Sequence, residues 1–535
     1  MIKKYILPIL LLMLLLTCKK EISTNTGVTE HPSVLTQHND NTRAGLNDHE
    51  KILTTSNVNT QLFGRLFTLP VDDEVYAQPL VFSNLTMGSG KNNVLFIATV
   101  NNSVYAFNAD NGNLYWNKNF TVTGMRPPNN GDMTAGCNPY NHFTYNIGIV
   151  GTPVIDSISQ TIYFVARSTD GTSFYQFLHA VNIVTGTDIS GSPVLIAASV
   201  TGTGDGSVNN LVRFDPLRNN QRQALALVNG VVYITWSSHC DWGPYHGWII
   251  GYDAQTLHQK IVYNDTPDGE AGGIWESGMG PAADEQGNLY VTTGNGSIGP
   301  ADLRDRSESA LKLTPTGTTL TVSSYFTPTN YAYLNLNDLD YGSMGTFLIP
   351  NSEYYFTGCK DGNIYLLNKD NMGGYSSSSN QVQQTIKTNG GLRCQPAYYK
   401  GTTNEFVYVW SENDHLRALS YDRTSNTFSD NQILSDVSGP IGGSGAELSV
   451  SSDGSADGTG ILWASYATGI DAEHVAGPGI LRAFDANDIT RELWNSSENP
   501  DDYPGNFAKF SAPAIANGHV YLATFSNQVM VYGLK

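Results

Sequence analysis

The sequence predicts an all-β protein, an eight-bladed β-propeller closed by an N-terminal strand. Three observations lead to this prediction. A strand-and-turn unit recurs eight times along the 535-residue chain. Long amphipathic helical patterns are scarce, and the composition combines 53 glycines with only 14% charged residues. Such a composition is typical of many short strands joined by tight turns.

The clearest copy of the unit covers residues 93–116. An apolar run is followed by a turn at Asn101 and Asn102 and then by a second, alternating run. Another turn at residues 110–112 leads into a third run, which ends at Trp116. This succession is a meander of antiparallel strands. One face of such a sheet is too apolar for water, so neighbouring sheets must cover it.

Seven further segments match VYAFN, the alternating run at residues 104–108. They are LHAVN (178–182), IIGYD (249–253), ALKLT (310–314), IYLLN (364–368), LRALS (416–420), LRAFD (481–485) and VMVYG (529–533). Each follows an apolar run of its own. Regular repetition of a meander indicates a solenoid or a propeller.

A closed ring is favoured because capping helices are lacking and the last copy has only three strands. The run at residues 61–71 has no hairpin partner of its own and can supply the fourth strand. The sequence therefore predicts one propeller over residues 61–535. Two four-bladed domains are the alternative, although no linker is evident near residues 300–341.

The N-terminus predicts export. Residues 1–17 combine two early lysines with a short apolar run, as in a signal peptide, and Cys18 follows in a lipobox-like context as the lipidation site. An ordinary cleaved signal peptide is the alternative. Residues 18–40 are expected to form a flexible tether and residues 41–60 a segment that wraps the domain. The protein is thus expected to be lipid-anchored in the cell envelope, in the periplasm or on the cell surface, and to meet the membrane only through this anchor.

Charge and cysteine content narrow the choice of partners and compartment. The chain has 29 basic and 48 acidic residues, a formal charge of -19, which argues against nucleic acid as a partner. Four cysteines remain after Cys18, and an oxidising compartment permits disulfides among them. These cysteines allow three pairings, and the sequence does not choose among them. They are Cys137, Cys240, Cys359 and Cys394.

The repeats resemble the PQQ-like repeat of quinoprotein alcohol dehydrogenases, through their shared A-x-N/D-x-x-x-G-x-x-x-W character. The segments HCDWGPYHGWIIGYD and GGIWESGMGPAADEQGNLYVTTGNG also resemble those of exported bacterial propellers, the lipoprotein branch of that family. The resemblance implies PQQ and Ca²⁺ at the central channel and oxidation of small alcohols or sugars.

Five residues match the machinery of that family. Asn295, in YVTTGNG, matches a Ca²⁺ ligand. Asp338 and Asp340 match the segment with the catalytic base, and two carboxylates two apart on a strand would let Asp338 ligate the metal beside a base. Lys360 matches the cation that touches the quinone. Trp275 lies near the place of the tryptophan under the cofactor plane. A turn, an acidic loop, an exposed lysine and inter-blade packing are the respective alternatives.

Two departures favour a different function. The glutamate ligand of blade two has no counterpart, with Asp170 the nearest carboxylate, and the vicinal cysteine pair near the quinone is missing, with only Cys137 in a comparable place. The alternative is a non-catalytic propeller scaffold that binds envelope proteins or glycans. The partner would then be a protein or glycan at the rim, rather than a small molecule in the channel.

Three further patterns are candidate sites. His239, Asp241 and His246 could chelate a metal, although a loop rim with buried aromatic residues is favoured. Residues 453–458, DGSADG, faintly match a Ca²⁺ loop but are better interpreted as a hairpin tip. Glu447 is a lone carboxylate at an apolar strand start. It would bind ligand if it faced the channel and would otherwise pair with an arginine.

Overall fold

Eight radial sheets form a β-propeller in the computed structural model, which describes residues 32–297 and 304–535. The predicted signal peptide, the lipidation site Cys18 and the first part of the tether lie outside the described residues. Among the described residues, no helix has the length and apolar character needed to cross a bilayer. The one α-helix among them is Tyr331–Leu336. Three 3-10 turns accompany it, at Asn130–Met133, Glu276–Gly278 and Pro500–Asp502.

Each of the first four blades is an antiparallel meander numbered here in chain order. Blade 1 contains Leu80–Met87, Gly90–Ala98, Ser103–Asn108 and Leu114–Asn119. Blade 2 contains Val154–Asp156, Thr161–Thr169, Phe174–Asn182, Thr187–Asp188 and Val194–Leu195. Blade 3 contains Asn219–Asn220, Ala226–Val228, Val231–Ser238, Trp248–Asp253 and Gln259–Asn264. Blade 4 contains Ala282–Ala283, Leu289–Thr293, Ser309–Thr316 and Thr319–Thr327, with Gly374–Tyr375 at its edge. A separate hairpin pairs Ser199–Thr201 with Leu211–Arg213.

The last four blades repeat the arrangement. Blade 5 contains Phe347–Leu348, Tyr354–Gly358, Asn363–Asn368 and Gln384–Lys387. Blade 6 contains Ala397–Lys400, Glu405–Val409, His415–Asp422, Thr427–Phe428 and Ile433–Ser438. Blade 7 contains Glu447–Ser451, Ile461–Ala467, Gly479–Asp485 and Asp488–Asn495, with Leu46–Asn47 added in parallel. Blade 8 contains Ala514–Ala516, His519–Ala523, Gln528–Leu534 and Phe63–Pro70. All eight VYAFN-like segments are the third strand of a blade, as the repeat predicts.

Ring closure occurs as predicted. The N-terminal strand Phe63–Pro70 pairs antiparallel with Gln528–Leu534, with Phe63 opposite Leu534 and Pro70 opposite Gln528. Blade 8 thus takes one strand from the start of the domain and three from its end. The described residues all belong to one compact unit, which argues against the alternative of two four-bladed domains.

The apolar core lies between neighbouring blades. Blades 2 and 3 share a buried cluster that includes Tyr163 and Trp236. Blades 7 and 8 share another, in which Phe63 of the closing strand packs beside Trp463 and Trp494. Similar clusters fill the other gaps between blades. Each sheet is therefore covered on both faces only because it has a neighbour on either side.

Residues 34–50, called the strap here, close one end of the central channel. The strap forms a hydrogen bond with the inner strand of every blade. From blade 1 to blade 8, with the strap residue named first, the bonded pairs are Val34 with Val81, Leu35 with Ile155, Asn41 with Leu227, Asn41 with Ala283, Thr42 with Leu348, Ala44 with Tyr398, Gly45 with Val450 and Asn47 with Ile515. Arg43 is fully buried and donates to the carbonyl oxygens of Leu225 and Pro281. The strap therefore covers one end of the central channel.

Residues 18–40 were predicted to form a flexible tether, and the described part of that segment, residues 32–40, contributes to the strap instead. In residues 32–40 the side chains of Val34, Gln37 and His38 are buried, and Gln37 donates to Gln395 of the channel wall. The segment lacks apolar periodicity because its main chain, rather than an apolar face, makes most of the contacts. A polar sequence can therefore be fixed in place when strand ends supply its hydrogen bonds.

Replacing Phe63 by Ala should lower the free energy of unfolding by about 3–5 kcal/mol, because it removes a fully buried ring from the layer between blades 7 and 8. Leu66→Ala is the matched control, since Leu66 lies on the same strand but is 37% exposed. It should change the free energy by less than about 0.5 kcal/mol. Denaturant unfolding followed by tryptophan fluorescence measures both. Equal effects of the two substitutions would show that the closing strand is not held by this layer.

Candidate functional site

A cavity of about 600 Å³ lies at the end of the channel away from the strap. Its wall includes residues that precede the inner strands. In five blades the residue that contacts the strap comes five positions after a cavity residue. With the cavity residue named first, these pairs are Tyr76 and Val81, Arg222 and Leu227, Ser343 and Leu348, Arg393 and Tyr398, and Phe510 and Ile515. Five residues of extended chain span about 16 Å. The strap and the cavity thus occupy opposite ends of the channel.

Four of the sequence-predicted residues converge at this cavity. The main-chain N–H of Asn295 donates to Asp340 Oδ1 at 2.9 Å, and its side-chain Nδ2 donates to Asp338 Oδ1 at 2.8 Å. Lys360 Nζ lies 2.5 Å from Asp340 Oδ2 and 3.2 Å from Asp338 Oδ1. Asn295 follows the second strand of blade 4, and Lys360 follows the second strand of blade 5.

The two aspartates differ in setting. The side chain of Asp340 is 4% exposed and that of Asp338 is 67% exposed. They do not lie on an extended strand, which corrects the geometry predicted from their spacing. Asp338 has a φ of 54° in a turn after the helix Tyr331–Leu336. The turn, rather than strand alternation, directs both carboxylates towards Lys360.

Electrostatic effects within this group oppose one another. Burial lowers the pKa of Lys360, but the carboxylates of Asp340 and Asp338 outweigh burial and hold that pKa above its ordinary value. Lys360 is therefore a permanent cation at neutral pH. The pair of ion contacts fixes the ammonium group at the cavity wall.

Asp241 adds a third carboxylate to the cavity wall. It accepts a hydrogen bond from Tyr245 Oη at 2.6 Å. Burial, reinforced by the charges of Asp340 and Asp338, raises the pKa of Asp241 to about 6. The sequence suggested Asp170 as the nearest carboxylate to the missing glutamate, but Asp170 lies in an exposed turn, where it accepts hydrogen bonds from Thr172 and Ser173.

Trp275 also lines the cavity, but its ring contacts a protein cation. The guanidinium of Arg222 lies 5.4 Å from the centroid of the Trp275 ring and 4.3 Å from that of Phe510. Arg222 also donates to the main-chain oxygen of Trp275 at 3.1 Å. Trp275, which precedes blade 4, therefore packs on Arg222, which precedes blade 3.

A disulfide joins two loops beside the cavity. Cys137 and Cys240, 103 residues apart, are bonded, which selects one pairing among those that the sequence left open. Both residues line the cavity. Cys359 and Cys394 are buried free thiols. The expectation that Cys137 stands alone near the site is thus wrong, because its partner comes from blade 3 instead of the adjacent position.

Solved structures share this architecture. A quinohemoprotein alcohol dehydrogenase from Pseudomonas putida HK5 matches with a TM-score of 0.59 at 13% identity, over 94% of this chain and 80% of that chain. One from Comamonas testosteroni matches with a TM-score of 0.58 at 14% identity, over 94% and 80%. A europium-containing methanol dehydrogenase matches with a TM-score of 0.56 at 11% identity, over 95% and 99%. The fold is that of the quinoprotein alcohol dehydrogenases. No protein-family model matches the chain, and no curated protein matches it in sequence.

The residues fit a hard metal cation. Asn295 Oδ1 is buried and accepts no hydrogen bond from any described residue, while the other polar groups of Asn295 are engaged. Ca²⁺ takes several oxygen ligands from carboxylates and amides. The carboxylates of Asp338 and Asp340, which Asn295 contacts, supply such oxygens. An oxygen that lacks a donor beside two carboxylates is suited to a metal ion.

The histidine pair predicted as a possible metal site is not available for one. His239 Nε2 and Nδ1 contact Arg167 and Tyr140, and the two ring nitrogens of His246 contact Thr266 and Asp205. These residues form the loop rim that the sequence favoured. Arg167, a buried cation beside His239, helps to lower the pKa of that histidine well below its ordinary value, with burial the larger cause.

Two other candidates also lie outside the cavity wall. Residues 453–458 form a turn between the first two strands of blade 7, as expected for a hairpin tip. Glu447 is fully buried at the start of blade 7 and accepts a hydrogen bond from the main chain of Phe510 at 3.0 Å. Burial raises the pKa of Glu447 well above its ordinary value. Within the described part of the chain, it neither lines the cavity nor forms an ion pair with an arginine.

Replacing both Cys137 and Cys240 by Ser should lower the free energy of unfolding by about 2–4 kcal/mol, because their bond closes a long loop in the unfolded chain. Peptide mapping under non-reducing conditions should recover the two cysteines as one linked peptide. Cys359→Ser and Cys394→Ser should leave that linked peptide unchanged. Recovery of any other cysteine pair would contradict the assigned connectivity.

Proposed function

We propose that this protein is a PQQ- and cation-dependent dehydrogenase that oxidises small alcohols or sugars. One observation carries the proposal: Asp338, Asp340 and Lys360 line one cavity of a quinoprotein dehydrogenase fold, and Asn295 contacts both aspartates. The order of these residues along the blades was expected from the sequence, and their side chains meet as the function requires.

The cation is assigned to Asn295 and Asp338, with Asp241 as a further carboxylate. Asn295 Oδ1 offers an oxygen without a hydrogen-bond donor among the described residues, and the exposed Asp338 can exchange its contact with Lys360 for a metal ion. Asp241 replaces the glutamate that the family resemblance implied. Its raised pKa of about 6 means that the carboxylate is ionised at pH 7, as a ligand must be.

The quinone is assigned to the space among Lys360, Trp275 and the Cys137–Cys240 disulfide, all of which line the cavity. When bound, PQQ supplies the acceptor for the hydride that leaves the substrate carbon. Lys360 offers a fixed positive charge for oxygens that gain negative charge during reduction. The disulfide covers the side of the cavity where the family resemblance led us to expect a vicinal pair.

Asp340 is assigned as the general base. It is the buried carboxylate of the pair, and Lys360 and the main chain of Asn295 fix its orientation. Oxidation of an alcohol releases a proton from the hydroxyl and a hydride from the carbon, and Asp340 takes the proton.

A second function is favoured by one feature of the same group. Lys360 contacts Asp338 and Asp340 at once, so both carboxylates have a cationic partner without a metal ion. A propeller whose cavity carboxylates are already paired can serve as a scaffold that binds envelope proteins or glycans at its rim. This alternative predicts no response to quinone or cation.

Export and lipid anchoring through Cys18 are part of the proposal. The support is the signal-like residues 1–17 and the Cys137–Cys240 disulfide, since disulfides persist in oxidising compartments. The anchored protein would lie in the cell envelope, in the periplasm or on the surface.

Titration of the protein with PQQ and Ca²⁺, or PQQ and Eu³⁺, tests the enzyme. At a ligand concentration of 100 times Kd, binding should stabilise the fold by about 2.7 kcal/mol, which calorimetry and thermal unfolding both detect. Asn295→Ala should weaken cation binding at least tenfold, since it removes a direct oxygen. Asn404→Ala, at an exposed loop position, is the control. Absence of heat and of any thermal shift at high excess would leave the scaffold as the function.

Replacing Asp340 by Asn should abolish reduction of an artificial electron acceptor with alcohol substrates, since the amide cannot take the hydroxyl proton. Binding of PQQ should persist within about tenfold. Dye reduction and calorimetry on the same preparation separate the two effects. Full turnover in this variant would remove Asp340 as the base.

Cys18→Ala should move the protein from the membrane fraction to the soluble fraction of cells that process bacterial lipoproteins, because the acyl chains are the only anchor proposed. Detergent-phase partitioning and immunoblotting measure the change. Cys359→Ser, at a buried thiol, is the control and should stay in the membrane fraction. A wild-type protein found in the soluble fraction would contradict the anchor.

A further inference from the structure

Two cations of the cavity have no carboxylate partner among the described residues. Arg222 precedes the inner strand of blade 3 and Lys509 that of blade 8, and both line the cavity with Asp338, Asp340 and Lys360. Around the eight-bladed ring, the aspartates precede blade 5, whereas Arg222 lies two blades before them and Lys509 three blades after them. The two cations therefore share the cavity wall with the aspartates but come from segments on either side of them.

Arg222 is held by aromatic rings and a main-chain oxygen instead of a counterion. Its guanidinium stacks on Phe510 and Trp275 and donates one hydrogen bond, from Nη2 to the main-chain oxygen of Trp275. In the part of the chain that the structure describes, its Nε meets no acceptor and its guanidinium forms no ion pair. Burial lowers the pKa of Arg222 to about 10, so it is charged at neutral pH.

Lys509 is placed in the same way. It is 5% exposed, and its Nζ donates to the main-chain oxygen of Glu473 and not to a carboxylate. The carboxylate of Glu473 is already held by Arg393 at 2.5 Å, and Arg393 is held in turn by Glu412 at 2.9 Å. Arg393 thus pairs directly with two carboxylates, whereas no described carboxylate forms an ion pair with Lys509 or Arg222.

The pKa of His142 is affected by the positive electrostatic potential of these cations. Its ring lines the cavity, and burial together with the charges of Lys509 and Arg222 lowers the pKa of His142 to about 3. Lys360 and the neighbouring His474 act in the same direction. A positive field inside a protein whose formal charge is -19 is a local feature of the cavity, not a property of the whole surface.

We propose that Arg222 and Lys509 bind the carboxylate of an acidic, hydroxyl-bearing substrate, so that hydroxy acids or sugar acids are preferred over neutral alcohols. This inference rests on the proposed dehydrogenase function. A guanidinium and an ammonium that face a cavity without counterions remain costly to bury until an anion joins them. A carboxylate accepts hydrogen bonds from both donors at once.

The anchored carboxylate also fixes which part of the substrate reacts. Its hydroxyl end extends across the cavity towards Asp340. Discrimination then comes from the anion contacts, because a neutral polyol would leave both buried cations unpaired. The other source of carboxylates is the quinone itself, so the experiment must be made with the quinone already bound.

Calorimetric titration of the PQQ- and cation-loaded protein with D-gluconate and with D-glucitol tests the inference. The two probes differ chiefly in the carboxylate. Gluconate should bind at least tenfold more tightly than glucitol. The substitution Lys509→Met should lower the affinity for gluconate by a factor of about 10 to 100. Lys369→Met removes a lysine that pairs with Glu353 away from the cavity and is the matched control.

The pH dependence of gluconate affinity distinguishes an effect of the charge of Lys509 from an effect of its packing. Burial lowers the pKa of Lys509 to about 8, with Arg222 acting in the same direction and Glu473, Glu74 and Asp471 opposing. Gluconate affinity should therefore fall as the pH rises through 8. Lys509→Arg should keep that affinity up to about pH 10, because arginine retains its proton.

Glu74→Gln serves as a second control for the pH profile. Burial raises the pKa of Glu74 to about 7, so this neighbouring carboxylate also gains charge in the range tested. The loss of affinity near pH 8 should persist when this substitution is present. A loss that disappears with the substitution would assign the pH dependence to Glu74 and contradict the role of Lys509.

Each outcome is decisive. Equal affinity for gluconate and glucitol overturns the inference, as does a Lys509→Met variant that binds PQQ at least tenfold more weakly while gluconate binding is unchanged. In the latter case the cations hold the quinone's carboxylates. Gluconate binding with the expected variants but without any PQQ binding would keep the anion site and reject the dehydrogenase.

Discussion

Burial of apolar layers between blades is the constraint on which the rest of this structure depends. No sheet of the described ring has a covered face by itself, because the clusters that contain Tyr163, Trp236 or Trp463 belong to two blades each. An open stack would leave two such faces in water. The strand Phe63–Pro70 removes both ends by completing blade 8 with strands from the other end of the domain. Ring geometry then fixes where every blade-preceding segment meets its neighbours at the channel.

The strap closes one end of the central channel, and the cavity lies at the other end. Its hydrogen bonds reach the inner strand of each blade, and Arg43 fills the channel beneath the floor of the cavity. Gln37 extends this contact, because it bonds Gln395, which in turn donates to the main chain of Ser277 and Phe510 at the cavity wall. Among the described residues, the strap covers one end of the channel, and the face that carries the loops around Cys137 and Cys240 is the one on which the cavity lies. Low solvent access from below keeps the dielectric constant low and the charges strong.

The fold could be predicted because it follows from the local alternation of apolar and polar residues in the sequence. Segments such as residues 104–108 and 529–533 repeat one alternation, and each became the third strand of a blade. Asn295 and Lys360 were expected from the resemblance of their motifs to the quinoprotein family, and in the structure each follows the second strand of a blade. Arg222, Lys509 and Asp241 were missed as cavity residues because their meeting depends on ring closure across several blades, which no local pattern records. The same reason explains the Cys137–Cys240 pairing, which crosses from the loop before blade 2 to blade 3.

The pairing of charges within the cavity is itself an argument about function. Lys360 contacts the carboxylates of Asp338 and Asp340, whereas Arg222 and Lys509 donate to main-chain oxygens and form no ion pair among the described residues. The main-chain oxygen of Glu473 accepts from Lys509, but the carboxylate of Glu473 contacts Arg393. A buried cation without a directly paired anion is costly, and an anionic ligand would offset that cost. A cavity that holds two such cations together with the carboxylate of Asp340 suits a ligand that is anionic at one end and loses a proton at the other.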